Sequence, residues 1–281
     1  MSVAPVRIAE QVMDVAVPAR SGRLAGVSMA GFRGRADRPI ELRMVPYPAF
    51  TMFIDFGDVW FVDEADGARR HGSGVVGPAP ARVRGCGQEV DVLQVRLSPV
   101  VAHAVLGASA ELGGTVVALE DLWGSDAARI QEQLHAAESW DERFSIAKAA
   151  LIRRQEAGRA VDPEVAFAWA RIVLSRGRIR VERLAAEVGW SYKRLWSRFR
   201  SQVGLTPKRA AQLVRFDYAA HRLAEGHSAA LVAAESGYVD QSHLCRDAMA
   251  FAGVTPAGVA VAPWLAVDPV AWAAPEYASR A

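Results

Sequence analysis

Lys193, Arg194, Arg198 and Arg200 place four cations within eight residues, with Ser197 among them and no acid between Glu187 and Asp217. At about 100° per residue, a helix here turns Lys193, Ser197 and Arg200 outward, with Arg194 and Arg198 beside them. Tyr192, Leu195 and Phe199 fall on the opposite, apolar side, and Trp196 sits at the boundary. Guanidinium and ammonium groups on a compact face can bond phosphate oxygens, and some of them can reach base edges in a major groove. An ordinary solvated helix face would mix the signs of its charges, and this one does not.

The elements that would hold these side chains occur twice. Leu184-Ala185-Ala186-Glu187-Val188-Gly189 recurs 48 residues later as Val232-Ala233-Ala234-Glu235-Ser236-Gly237. At an offset of 49, Leu195 matches Leu244, Gly204 matches Gly253, and Thr206-Pro207 matches Thr255-Pro256. Each unit reads as a short helix, a turn at glycine, a second helix and a Gly-x-Thr-Pro exit. Apolar residues at 181, 184, 185 and 188 make a helical stripe, and Gly189 suits a left-handed turn. Ser191 and Asp240 are N-caps for the second helices; Thr206 and Thr255 cap again, each with proline at the first helical position. A purely structural helical array is the bland alternative, but two copies fall short of the three or more that such stacks need. The repeat therefore predicts two helix-turn-helix units. Glu187 and Glu235, at one position in both, are expected to accept N–H groups at the following helix's N-terminus.

The 281 residues carry 33 basic and 31 acidic side chains, a net charge of +2. That balance hides an asymmetry. Residues 1–160 hold 18 basic and 20 acidic residues, 171–215 hold 12 and 2, and 216–260 hold 2 and 5. Phosphate attraction is thus concentrated in the first unit. Thirty arginines against three lysines, with abundant alanine, glycine and valine, suggest a GC-rich coding genome, so arginine content alone says little. No run of 18 apolar residues occurs and the first residues lack the apolar block of a signal peptide, so a cytoplasmic protein without a membrane segment is expected. Two cysteines provide neither a disulfide framework nor a zinc cluster.

Short β-rich stretches (24–32, 40–45, 51–56, 59–62 and 90–97) are separated by Gly, Pro and Asp, and 91–97 alternates as a half-buried strand should. A charged loop from Asp63 to Gly74 interrupts them. Helices are expected over 99–106, 125–137 and 140–155, with 113–123 as a connector. Asp162-Pro163 should cap the helix entering the last part of the chain. The fold class is therefore α+β. Residues 1–98 form a small β-rich domain of sandwich or cupin-like type, 99–160 a helical linker and dimerisation region, 161–262 an all-α tandem helix-turn-helix domain, and 263–281 a tail partly ordered by packing. The stripes Ile130, Leu134, Ala137 and Phe144, Ala147, Leu151 are expected to pair two chains about a two-fold axis.

The stretches LAAEVGWSYKRLWSRFRSQVGLTPKR and SGYVDQSHLCRDAMAFAGVTP, with Arg215, Ala219 and Leu223 between them, resemble the DNA-binding domain of the AraC/XylS family of bacterial transcription regulators. The resemblance covers roughly 160–262. It implies a long helix, here Pro207 to about Glu225, joining two units that face adjacent major grooves. It implies double-stranded DNA as partner, RNA polymerase as a further one, a small-molecule effector or dimerisation role for the N-terminal domain, a homodimer, and no cofactor. The DNA-contacting set is then Ser191, Lys193, Arg194, Trp196, Ser197, Arg198, Arg200 and Lys208 in the first unit, and Gln241, Ser242, His243 and Arg246 in the second. Two departures stand out. Asp247-Ala248-Met249 follows Arg246 where an aromatic and further basic residues are usual, which predicts a second unit repelled by phosphate. Trp196 replaces a polar residue and either covers the core edge or touches a thymine methyl. The N-terminal 160 residues resemble effector domains only loosely, through Leu119–Gly124.

Metal catalysis in a cupin needs His-x-His with a glutamate and a third histidine, whereas His71, His103 and His135 lie far apart. Cys86, near Arg82 and Arg84, offers a low-pKa thiol, so a covalent redox or alkylation sensor or repair protein with DNA binding as its read-out is the alternative function. A plain small residue in a turn also explains it. His243 either contacts DNA or holds the turn. Phe50, Phe53, Phe56, Trp60 and Phe61 are either effector-pocket walls or core. No nucleotide loop, triad or paired catalytic carboxylate occurs, so no enzyme is expected.

Overall fold

The computed structural model describes residues 1–8, 11–19, 24–43, 45, 47–63, 67, 69–78, 83–107, 112 and 116–272. Among the described residues nine strands form one antiparallel sheet: β1 (Ser2–Ile8), β2 (Gln11–Val17), β3 (Val27–Arg43), β4 (Phe50–Asp55), β5 (Trp60–Asp63), β6 (Arg69–His71), β7 (Gly74–Val76), β8 (Val83–Leu97) and β9 (Val116–Ala118), with path β1-β2-β3-β8-β4-β7-β9 and β5 pairing β6 and β8. The 15-residue β8 is its spine. On one side it pairs with β3 from Val27↔Leu97 to Arg43↔Arg84, with the register shifting between Arg35 and Ile40; on the other it pairs with β4 and then β5.

The period of two assigns each face. Met29, Phe50, Met52, Ile54, Leu93, Val95 and Leu97 point to one side, where α1 (Pro99–Leu106), α3 (Ser125–Ala136) and α4 (Trp140–Ala157) bury them under Val105, Ile130, Leu134, Phe144 and Leu151. Phe32, Phe53, Phe61 and Val92 point to the other side. The aromatic cluster is therefore divided: Phe50 is core, Phe53 and Phe61 pack together at 5.3 Å on the far face, Phe56 meets Trp140, and Trp60 meets His71.

Several expectations need correction. Ser2–Ile8 and Gln11–Val17 pair as antiparallel strands, β1 and β2, at the sheet edge. The supposed connector over 113–123 holds β9 and α2 (Leu119–Trp123), with 113–115 outside the described residues, and the charged loop contains β6. Ile130, Leu134, Ala137, Phe144, Ala147 and Leu151 are all buried within one chain, so these stripes cannot pair two chains. The sheet uses them up.

The C-terminal core gathers α5 (Pro163–Leu174), α6 (Val181–Glu187), α7 (Tyr192–Val203), α8 (Pro207–Ala224), α9 (Ala229–Glu235), α10 (Gln241–Ala252) and α11 (Pro256–Ala260) around Ile172, Leu195, Phe199, Leu213, Phe216 and Leu244. Beyond it the chain turns back. A 3-10 turn (Pro263–Leu265) and α12 (Asp268–Ala271) lay Val267, Ala271 and Trp272 against Ile8, Met13 and Phe32 of the sheet.

Candidate nucleic-acid interface

Local sequence builds each reading unit. Gly189 and Gly237 take φ of +67° and +76° at the turns, where other residues are strained. Ser191 Oγ accepts from the Arg194 N–H at 3.2 Å and Asp240 Oδ1 from the His243 N–H at 2.7 Å, so both second helices start where the sequence placed them. Thr206 and Thr255 cap α8 and α11 in the same way. At 18 residues α8 spans about 27 Å.

On α7, Ser191, Lys193, Arg194, Ser197, Arg198 and Arg200 are exposed, and Trp196 is half-buried. Arg194 lies over the Trp190 ring at 4.4 Å and Arg200 over Trp196 at 5.3 Å, so two tryptophans hold two guanidiniums at the surface without neutralising them. Tyr192, assigned to the inner side, is 47 % exposed, because it sits at the helix start beyond the reach of the core. Arg198 also departs from expectation. Its Nε and Nη2 donate to Asp162 at 2.7 and 2.8 Å. Burial acts to raise the Asp162 carboxyl, and the bonds from Arg198 and Gln202 outweigh it and hold the group below the usual range. Asp162 occupies the N-cap position of α5 without capping it, since its carboxylate is committed to Arg198. Lys208 is exposed on the first turn of α8.

The repeated glutamates are structural, by a different route from the one expected. Glu187 takes two bonds from Arg171, at 2.8 and 3.3 Å, and one from Arg183 at 2.9 Å; Glu235 takes one from Arg222 at 3.1 Å. The bonds from Arg171 and Arg183 lower the Glu187 pKa. Each carboxylate braces its first helix to a neighbour, α6 to α5 and α9 to α8, and neither reaches the next helix's N-terminus.

In the second unit Gln241, Ser242 and Arg246 are exposed, and His243 is half-buried with its ring edge-on to Tyr238 at 5.1 Å. Asp247 is only 7 % exposed and meets Arg215 of α8 at 3.2 Å. It therefore faces the core and not DNA, which corrects the expectation that it repels phosphate. Ala248 is likewise core, and Phe251 stacked on Phe216 at 5.1 Å fills the space an aromatic there would have taken. What α10 presents outward is Ser242, Cys245, Arg246, Met249 and Ala250: one cation among weakly polar side chains.

Cys86 lies within β8, 3 % exposed, and burial pushes its thiol pKa up. Arg84 is taken by Glu41 at 2.7 Å, and Arg82 lies outside the described residues. A buried thiol with a raised pKa is a poor nucleophile, so the covalent-sensor alternative loses its chemistry. Among the described residues no group of three or more His, Cys, Asp or Glu is placed to hold a metal, and no single helix is long and apolar enough to cross a membrane.

Two capped, glycine-turned helix pairs joined by one long helix, the first with a cationic face, define a tandem helix-turn-helix DNA-binding protein. Residues 184–260 match the family model of a helix-turn-helix domain. The protein carries a DNA-binding helix-turn-helix domain in its C-terminal part. Among solved structures, ToxT from Vibrio cholerae O395 is 11 % identical, over 86 % of this chain and 98 % of that one, with a TM-score of 0.48. Wild-type ToxT from V. cholerae strain SCE256, with an unsaturated fatty acid bound, is 11 % identical over 84 % and 94 %, with a TM-score of 0.46. The C-terminal domain of AraT, a response regulator from Geobacillus stearothermophilus, is 20 % identical over 36 % and 85 %, with a TM-score of 0.34. No curated protein matches the chain.

Proposed function

We propose that this cytoplasmic regulator, not an enzyme, reads operator DNA through the outward face of α7 and answers to a small molecule held by its β-rich part. The observation that carries the DNA reading is the α7 surface, where Lys193, Arg194 and Arg200 are exposed and free of acidic partners among the described residues, on a helix fixed by Ser191 and Gly189. Lys193 and Ser197 read bases; Arg194, Arg200 and Lys208 bind phosphate; Ser191 positions the helix by capping it. Trp196 stands within reach of a thymine methyl. Gln241, Ser242, His243 and Arg246 do the same work in the second unit with one cation. Residues 1–98 form the sensor, 99–160 a helical layer upon it, 161–262 the DNA-binding domain, and 263–272 a strap back to the sheet.

The effector reading rests on a cavity of about 190 Å³ on the sheet face opposite the helices, lined by Phe32, Phe53, Phe61 and Val92. As a homodimer, the chain would use the open edge of β1, where Val3 is 48 % exposed, because the helical stripes are occupied. Contact with RNA polymerase belongs to the same proposal. The test is genome-wide mapping of bound sites followed by footprinting of one of them. Protection of two adjacent major grooves on one side of the duplex is expected. Binding with no sequence preference over bulk DNA would sink the reading.

A further inference from the structure

The cavity has a polar end. Gln94 and Arg96, two apart on β8, turn to the same face, and Thr51 pairs with Arg96 in register on β4. The strap closes it: Pro263, Trp264 and Val267 are part of the wall. Just behind Arg96 lies Asp268, 4 % exposed, whose carboxylate accepts from Tyr47 Oη at 3.2 Å, Arg96 Nη2 at 3.4 Å and His221 Nε2 at 2.9 Å. Arg96 is stacked between the Tyr47 ring at 3.5 Å and the Trp272 ring at 4.0 Å. The other cation on the wall, Arg43, donates to the Ala252 carbonyl at 3.4 Å.

Of the two wall cations Arg96 is already paired with a carboxylate inside the chain, and that carboxylate comes from the strap, directly behind the guanidinium. A second anion would shed its water in an apolar cavity and meet a guanidinium whose charge Asp268 already offsets, with Asp217 beyond it across His221. A cation would meet Arg96. An uncharged group escapes both penalties and finds Gln94 and Thr51 for hydrogen bonds. We propose that this cavity binds a small, uncharged, mainly apolar molecule with one hydroxyl or carbonyl group at the Gln94 end, and that Asp268 is the residue that excludes acids. The proposal rests on the effector reading above and names its ligand class. The same carboxylate ties the strap to α8 through His221.

The experiment is calorimetric titration of the full chain near neutral pH with two probes of one chain length, 1-octanol and octanoate. Octanol should bind the wild type at least about tenfold more tightly than octanoate. Asp268→Asn, which removes the negative charge that Arg96 and His221 share, should raise octanoate affinity by about tenfold or more. His221→Gln keeps Asp268 and should give octanoate no gain. Octanoate binding the wild type as well as octanol, or an unchanged ratio in Asp268→Asn, overturns the proposal, and so does a wild type that binds neither probe. The wild-type pair decides the matter even where Asp268→Asn fails to fold. The titrations contain no DNA, so a negative result leaves operator reading standing, and loss of operator binding leaves the titrations readable.

Discussion

The exposed cations of the first unit have different surroundings, and their removal should have different consequences. Lys193 has no acidic partner among the described residues and lies on the outward face of α7, so Lys193→Ala should cost roughly 1–3 kcal/mol on the specific site and little on random DNA. Arg200, resting on Trp196, is a phosphate contact by the same geometry; its loss should weaken binding on every sequence and reduce the salt slope by about 1. Arg198 belongs to the fold. Its bidentate pair with Asp162 joins α7 to the start of α5, and for an exposed pair of this geometry a double-mutant cycle should return about 1 kcal/mol. Arg198→Ala and Asp162→Ala should therefore lower Tm by similar amounts, and the double variant should lose little more than either. Strictly additive losses would show that the pair does no work.

His221 gives the residue scale a pH dependence. Its Nδ1 faces the Asp217 carbonyl at 2.8 Å and its Nε2 faces Asp268, so both ring nitrogens donate and the ring is an imidazolium. Burial alone would lower its pKa; Asp217 and Asp268 outweigh it and raise the value to about 9. A folded pKa above the unfolded one stabilises fully below about 6.5, and that stability disappears as pH rises through about 9. The ring is about a third exposed, so the contribution is about 2 kcal/mol after screening. Thermal melts between those pH values should show wild-type Tm falling relative to His221→Gln, and parallel curves would refute the assignment.

At the scale of elements, Asp247 decides how the second unit is understood. Removing it leaves Arg215 buried beside Tyr238 without its anion, so Asp247→Ala should destabilise the domain by about 3–5 kcal/mol. It should not improve DNA affinity, which it would if Asp247 faced phosphate; a gain in affinity at low salt would reverse the assignment. The sequence alone could not find this pair, because Arg215 and Asp247 are 32 residues apart and helical spacing does not say which neighbour a face meets. Caps and turns were legible for the opposite reason: Ser191, Gly189, Asp240 and Thr255 act on backbone within three residues of themselves. The sheet lies between these cases. Val90–Leu97 alternates visibly because both its faces are committed, but Gly85 and Gly87 hide the first half of β8, and β1 has Val3 and Pro5 on its exposed face beside Ala4, Val6 and Ile8 on its covered one, so its sequence shows little alternation. That the tail packs was expected from its composition, but where it packs was not, since Val267, Ala271 and Trp272 settle against Ile8, Met13 and Phe32, more than 200 positions earlier.

At the scale of the whole molecule, charge is distributed unevenly across two units of the same design. Residues 171–215 carry 12 basic and 2 acidic side chains, and 216–260 carry 2 and 5. The structure changes the reason for the imbalance without removing it. Asp247 and Arg215 cancel inside the core, Glu235 and Glu225 are bridged by Arg222, and only Arg246 remains as an exposed cation on α10. The second unit thus keeps a small acidic excess, with Asp240 exposed at the start of α10, while the rest of its outward face is weakly apolar, with Met249 50 % exposed and Val239 87 % exposed. Such a face contributes little to counterion release, so it should add shape and base contacts once the first unit is seated. Salt titrations of Arg200→Ala and Arg246→Ala on one operator separate the possibilities. Arg200→Ala should lose affinity on both specific and random DNA, with a flatter salt slope. Arg246→Ala should lose affinity mainly on the operator and keep the wild-type preference for low salt. Equal losses and equal slope changes in the two variants would mean that the two units share the phosphate contacts, and the unequal division of labour would fall.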